Sequence, residues 1–181
     1  MRRTLAESRQ MDFFDADGSV HRLLDTESAV AARIRSLFGA DFLQPDGKPD
    51  RPALRSLVFA NAKARRELED LLHPLVRAEW QAGRERCISQ GRDYLTDIPL
   101  LYETSAERFF DAVVVVACSR ETQLARLEGR GIELQTAEAM LASQLPLGQK
   151  VDRASFVIWN DGSLAALGRQ TDLVANQLFH D

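Results

Sequence analysis

The sequence has few cysteines, no long apolar run and no excess of positive charge. Its two cysteines, Cys87 and Cys118, are far apart without metal-binding spacing, which argues against a disulfide scaffold and predicts reduced thiols. No apolar stretch approaches the roughly 18 residues that a membrane-spanning helix needs. A net charge of -4 argues against nucleic-acid binding, although it leaves room for a local cationic pocket. Since the N-terminus also lacks a signal-type apolar core, we expect a cytoplasmic protein.

Compact apolar runs in the second half of the chain predict β-strands. With 181 residues and 45% hydrophobic content, the chain is long enough for one domain with a sizeable core. The runs are "DYLTDIPLLY" (93–102), "DAVVVVACS" (111–119) and "SFVIWNDGS" (155–163). Their alternation with helical segments predicts an α/β fold with a mainly parallel sheet, in which the valine-rich strand is buried on both faces.

The first half of the chain, from Asp25 to Trp80, has a helical pattern. Apolar residues at helical spacing from Val30 to Phe38 predict one helix that Gly39 ends. Pro74 predicts a break in a later helix, because proline lacks the backbone donor and crowds the preceding turn. The whole block is too long for one crossover between parallel strands, so we expect a helical subdomain.

The segment "DFFDADG", residues 12–18, places two aspartates after a short apolar run. A calcium loop is excluded, because aligning Gly18 with the required glycine leaves Phe13 and Leu24 at ligand positions. A carboxylate at the carboxyl end of a parallel strand lies where ligands bind, and it could accept a proton or hold a metal through water. Helix N-capping by an aspartate is the alternative, and this segment alone leaves both open.

Other candidate residues are equally ambiguous when taken one at a time. Asp97 ends a predicted strand, where a carboxylate either faces a metal or ligand or lies in a simple turn. His73 lies between apolar helical residues, where packing is its commoner role. Arg126 and Arg130 have i, i+4 spacing and could bind phosphates from one helix face or pair with neighbouring glutamates.

The order of these motifs resembles the dephospho-coenzyme A kinase family, from about Asp12 to the C-terminus. The motifs in order are "DAD", "LLHPLV" (71–76), "DIPLLYE" (97–103), "QLARLEGR" (123–130) and "FVIWNDG" (156–162). The resemblance implies a P-loop-kinase-like fold: a three-layer parallel sheet flanked by helices, with an inserted helical subdomain and a lid. The core would comprise about residues 1–24, 91–120 and 154–181, the coenzyme-binding subdomain about 25–90, and the lid about 121–153.

The resemblance also implies an activity, the last step of coenzyme A biosynthesis. ATP, with Mg²⁺, would phosphorylate the ribose 3′-hydroxyl of dephospho-coenzyme A, a small-molecule substrate; neither nucleic acid nor membrane is an expected partner. Asp17 matches the family's catalytic base, and Asp97 falls where related kinases keep an acid near magnesium. The other expected site residues are substrate-binding Arg51, His73, Pro74 and Glu103, and nucleotide-binding Arg126, Arg130 and Asn160.

One part of the family pattern is absent from these residues. P-loop kinases have a strand followed by G-x-x-x-x-G-K-[ST], and that motif does not occur here; Gly47–Lys48 lacks the first glycine. "RRTLAESRQ" resembles the helix after that loop, so the chain is expected to begin just past it. The loop's strand would lie between Tyr94–Ile98 and Ala112–Cys118.

Three alternatives for function stay open on the sequence. The chain is a kinase read from an incomplete gene model, a non-catalytic relative that binds dephospho-coenzyme A or serves as an assembly subunit, or a kinase for another nucleoside-like alcohol. In each case negligible ATP turnover is expected from these 181 residues alone, because no backbone nest for the phosphates is present.

Overall fold

The computed structural model describes residues 11–179. The chain divides into two compact units, one ending at Pro99 and the other beginning at Leu100. The first unit contains β1 (Asp12–Asp15), α1 (Ala16–Thr26), α2 (Ser28–Phe38), α3 (Arg51–Ala60), α4 (Ala62–Ser89) and β2 (Tyr94–Asp97). The second contains β3 (Val114–Ala117), α5 (Arg120–Glu128), α6 (Leu134–Ala142), α7 (Leu147–Arg153), β4 (Phe156–Trp159) and α8 (Leu164–Phe179).

In the first unit, two short parallel strands pair beside a helical cluster. β1 pairs with β2 in a register that sets Asp12 opposite Tyr94 and Asp15 opposite Asp97. The helices bury an apolar cluster made of Leu24, Val30, Ile34, Leu54 and Leu72. As predicted, α2 ends where Gly39 takes a φ of 103°, a conformation that favours glycine.

The helix α4 continues through Pro74, so the predicted break at that residue is wrong. A proline inside a helix removes one hydrogen bond, here to the carbonyl of Asp70, and costs about 3 kcal/mol. Pro74 and Asp70 are both exposed, which lets water satisfy that carbonyl. The opposite face of the helix buries Leu72, Val76 and Trp80, and this burial offsets the cost.

In the second unit, β3 pairs with β4 in parallel, with Ala117 opposite Trp159. The prediction of parallel strands is therefore confirmed in both units. Burial of the valine strand on both faces is wrong for Val116, whose exposed fraction is 45%. Among the described residues β2 has β1 as its one strand partner and β3 has β4.

Two further findings concern the extent of the chain. The predicted helix at residues 2–10 lies outside the described residues. Within residues 11–179, none of the helices is long and apolar enough to cross a membrane.

Candidate active site

The two aspartates that follow the first apolar run have different positions. Asp15 is the last residue of β1 and the N-cap of α1, with an extended backbone (φ -113°, ψ 109°). Its Oδ1 accepts a hydrogen bond from the backbone N–H of Gly18 at 3.1 Å. This is the usual geometry of an aspartate cap, which satisfies one of the free donors at the helix start. The capping interpretation is therefore correct for Asp15.

Asp17 lies in the first turn of α1 and is exposed. Its carboxylate has no hydrogen-bond or ion-pair partner among residues 11–179. Among the described residues, the carboxylate of Asp17 is therefore not committed to a structural contact.

Asp97 ends β2 and lies directly across from Asp15 in the parallel register. Neighbouring strands are about 4.8 Å apart, so the structure brings the DAD segment and Asp97 to one edge of this strand pair. In the part of the chain that is described, no cluster of three or more histidine, cysteine or acidic side chains is arranged to hold a metal. Mg²⁺ usually takes only one or two protein carboxylates, with water and substrate phosphates completing its shell. The acids at this edge fit that pattern.

Beside this edge, side-chain hydrogen bonds connect helix α1 to helix α4. The hydroxyl of Ser19, which is only 5% exposed, donates to the carboxylate of Glu79. The guanidinium of Arg22 donates to the same carboxylate oxygen. These residues line an open pocket of about 520 Å³, together with Asp15 and Tyr94. Ser19 and Glu79 are not predictable from the sequence, because they are 60 residues apart and carry no local motif.

The predicted substrate residues of the first unit lie on two helices. Arg51 begins α3, just after the cap residue Asp50, and its Nη1 lies 3.7 Å from Oδ2 of Asp25. Both partners are exposed, so this pair contributes at most about 1 kcal/mol to stability. His73 and Pro74 are adjacent in α4, the first half-buried and the second exposed. Among residues 11–179, no hydrogen bond or ion pair joins these residues to Asp17.

Glu103, also predicted to bind substrate, belongs to the second unit. Its Oε1 accepts hydrogen bonds from the backbone N–H of Leu145 at 2.8 Å and from Nζ of Lys150 at 2.9 Å. The two charged side chains are largely buried, with exposed fractions of 13% for Lys150 and 20% for Glu103. Burial alone would raise the pKa of Glu103, but these hydrogen bonds outweigh it and lower the pKa. Glu103 thus links the segment after β2 to α7.

All three predicted nucleotide residues belong to the second unit, and two of them, Arg126 and Asn160, are in contact. Nη2 of Arg126 donates to the backbone carbonyl of Asn160 at 2.7 Å, which joins α5 to the turn after β4. Arg130 does not share a helix face with Arg126, because α5 ends at Glu128. Gly131, with a φ of 76°, reverses the chain there, and the exposed Arg130 lies in the resulting turn.

The family model described as dephospho-CoA kinase matches residues 2–166. This chain belongs to the dephospho-CoA kinase family. Among curated dephospho-CoA kinases, that of Anaeromyxobacter dehalogenans is 41% identical over 170 residues, which cover 93% of this chain and 81% of the relative. That of Bacillus cereus is 38% identical over 162 residues, which cover 88% of this chain and 81% of the relative.

The solved structures agree with this assignment. The dephospho-CoA kinase from Campylobacter jejuni superposes with a TM-score of 0.70 at 28% identity, over 97% of this chain and 88% of that chain. A structure from Thermus thermophilus has a TM-score of 0.68 at 29% identity, with the same coverage. The predicted family and the predicted P-loop kinase fold are therefore confirmed. Membership of a dephospho-CoA kinase family implies a phosphotransferase that uses ATP.

Proposed function

We propose that this chain, when a strand and glycine-rich loop are supplied at its amino end, transfers the γ-phosphoryl group of ATP to the ribose 3′-hydroxyl of dephospho-coenzyme A, in the cytoplasm. The proposal rests on the carboxylate of Asp17, which makes no hydrogen bond or ion pair among residues 11–179 and follows the end of β1. Strand β2 ends at the same edge with Asp97. Phosphoryl transfer depends mainly on positioning and charge neutralisation, with a carboxylate that orients and deprotonates the acceptor hydroxyl. A dephospho-CoA kinase requires such a group, and Asp17 has the exposure and charge to supply it.

In the proposed reaction, Asp17 accepts the proton of the 3′-hydroxyl. The freed oxygen forms a bond to the γ-phosphorus, and the bond between that phosphorus and the bridging oxygen breaks to release ADP. Asp15 supports this role indirectly, because it satisfies the start of α1 and leaves Asp17 free.

Mg²⁺ is proposed to bind beside Asp97, where it would neutralise charge on the phosphates. Arg126, Arg130 and Asn160 are proposed to bind the nucleotide, with guanidinium groups suited to phosphate oxygens. Substrate contacts are proposed for Arg51, His73, Pro74 and Glu103. The hydrogen bonds to Glu103 from Leu145 and Lys150 both reach Oε1.

The glycine-rich loop requires its own test, since these 181 residues contain no G-x-x-x-x-G-K-[ST] motif. ADP release is measured with ATP, Mg²⁺ and dephospho-coenzyme A, on this chain and on the same residues extended at the amino end by an in-frame strand and glycine-rich loop. We expect turnover only from the extended chain. Robust turnover by the 181 residues would overturn the requirement. Binding of dephospho-coenzyme A with no turnover in either form would instead favour a non-catalytic relative.

The role of Asp17 is tested in the active form. Asp17→Asn should lower the rate by ~10²–10⁴, the usual contribution of a positioned proton acceptor. Asp172→Asn is the matched control, because Asp172 is an exposed acid on α8 in the other unit and the charge change is the same. Wild-type turnover by Asp17→Asn would show that this carboxylate takes no part in the proton transfer.

A further inference from the structure

The turn that follows β4 is held by its main chain on two sides. The N–H of Asn160 donates to the carbonyl of Ala117 at 2.7 Å, which extends the β3–β4 pairing by one residue. The carbonyl of Asn160 accepts from Arg126 at 2.7 Å. The side-chain amide of Asn160 makes no hydrogen bond within residues 11–179. A fixed backbone therefore presents an amide whose donor and acceptor are both available.

The next residue, Asp161, is fastened to the start of α5. Its two carboxylate oxygens accept from the N–H of Ser119 at 2.9 Å and 3.1 Å, and Oδ1 also accepts from the Ser119 hydroxyl at 2.9 Å. Ser119 is itself the N-cap of α5 and accepts from the N–H of Thr122 at 3.2 Å. Hydrogen bonding by Thr122 and Ser119 lowers the pKa of Asp161, so the carboxylate is charged at neutral pH.

Helix α5 and the turn after β4 are thus joined at two points. One is the contact between Asp161 and Ser119 at the start of the helix, and the other is the contact between Arg126 and Asn160 in its last turn. Two contacts on one helix restrict both the position and the rotation of the turn, which a single hydrogen bond does not. If the contact between Asp161 and Ser119 is lost, the turn keeps only the hydrogen bond from Arg126 to Asn160 and the backbone hydrogen bond from Asn160 to Ala117.

We infer that Asp161 is a positioning residue of the nucleotide site. It does not contact the nucleotide; it fixes the turn that carries the amide of Asn160 against the helix that carries the guanidinium of Arg126. An asparagine amide pairs with the donor and acceptor edge of adenine when its orientation is fixed. The inference rests on the proposed nucleotide-binding role of Asn160.

Adenosine is the appropriate probe, because its binding depends on the base and ribose and not on a phosphate loop. The side-chain amide of Asn160 and the indole of its neighbour Trp159, which is 48% exposed, are followed by NMR during an adenosine titration of the 181-residue chain. Asp161→Ala should raise the dissociation constant at these signals about tenfold, as for loss of a charged hydrogen bond. Asp161→Asn, which keeps one acceptor oxygen, should fall between. Hydrogen exchange of the Ser119 amide should quicken in the same order, and Asp172→Asn should match the wild type.

The outcomes separate this inference from the function on which it rests. If adenosine shifts the Asn160 and Trp159 signals of the wild type and Asp161→Ala leaves the dissociation constant unchanged, the positioning role is overturned and the nucleotide site stands. If adenosine does not shift these signals in the wild type at millimolar concentration, both the proposed site and the inference fail. A general loss of stability would also weaken adenosine binding, so the melting temperatures of Asp161→Ala and Asp172→Asn are compared. The tenfold effect supports the inference when the two melting temperatures are equal.

Discussion

Gly83 is a point at which helix α4 packs directly against Tyr94 of strand β2. A Cβ atom placed on Gly83 would lie 2.3 Å from the hydroxyl oxygen of Tyr94 and 2.8 Å from the ring carbon that bears it. Real Cβ atoms do not approach other heavy atoms so closely, and an aromatic ring in a four-residue strand has little freedom to withdraw. Gly83→Ala therefore forces Tyr94 or the helix to move.

The expected loss of stability is the overpacking cost less the gain in helix propensity. Extra methyl groups in a packed interior cost about 1–3 kcal/mol. Alanine is better than glycine inside a helix by about 0.5–1 kcal/mol. The separation of 2.3 Å favours the upper part of the overpacking range. We expect a net loss of about 1–2.5 kcal/mol, which lowers the melting temperature by about 2–4 °C per kcal/mol in a chain of this size.

The assay is urea unfolding followed by circular dichroism, with a matched control in another helix. Gly168 lies inside α8, and a Cβ there would have no neighbour within 4 Å, so Gly168→Ala should stabilise the protein by about 0.5–1 kcal/mol. Adding Tyr94→Phe to Gly83→Ala removes the nearest atom and should recover part of the loss. Stabilisation by Gly83→Ala equal to that of the control would refute the packing of Tyr94 against α4.

Three shorter predictions follow from the pKa directions and from α4. The protein has two tyrosines, and burial raises the pKa of both, that of Tyr94 to about 12; tyrosinate absorbance at about pH 10 should therefore stay below the half-ionised level of two free tyrosines, and an ordinary titration there would contradict their burial. Because hydrogen bonds lower the pKa of Glu103, the stability from its pair with Lys150 is present above about pH 4.5 and is lost as the pH falls through the lowered value. Glu103→Gln should therefore melt lower than the wild type at neutral pH, with a difference that shrinks at about pH 3, and a constant difference would argue against the pair. Pro74→Ala should raise the urea midpoint by restoring a hydrogen bond in α4, whereas a lower midpoint would mean that the proline fits the helix without cost.

Sequence patterns predicted the elements whose signals are local. Each strand corresponds to an apolar run, and α2 ends at the glycine that helical spacing indicated. The meeting of Asp15 and Asp97 was also predictable in kind, because parallel strands present their carboxyl ends at a common edge. These inferences need only propensity, periodicity and the direction of the chain.

The tertiary contacts between distant residues were not predictable in this way. Glu103 is bonded to the backbone of Leu145, which lies 42 residues away, and no spacing rule selects that partner. The continuity of α4 through Pro74 likewise depends on what the other helix face buries, since propensity alone favours a break. Gly129 and Gly131 indicate that α5 ends before Arg130, so the i, i+4 spacing of Arg126 and Arg130 is not enough to place both on one helix.

The two aspartates of the DAD segment show how backbone position separates chemically identical side chains. A cap must have extended backbone angles and a side chain that reaches the free donors of the first turn, and only the residue that ends the strand meets both conditions. Two residues later the backbone is helical, and the N–H of Gly18 is already bonded to Asp15, so the second carboxylate has no hydrogen-bond partner within residues 11–179. Exchanging roles would require the helix to begin two residues later, which would take the buried Ala16 out of the helix. In a segment of this kind, the first acid therefore belongs to the fold and the second is available for chemistry. Asp15→Asn should accordingly be mild in both stability and rate, because asparagine caps a helix as well as aspartate does.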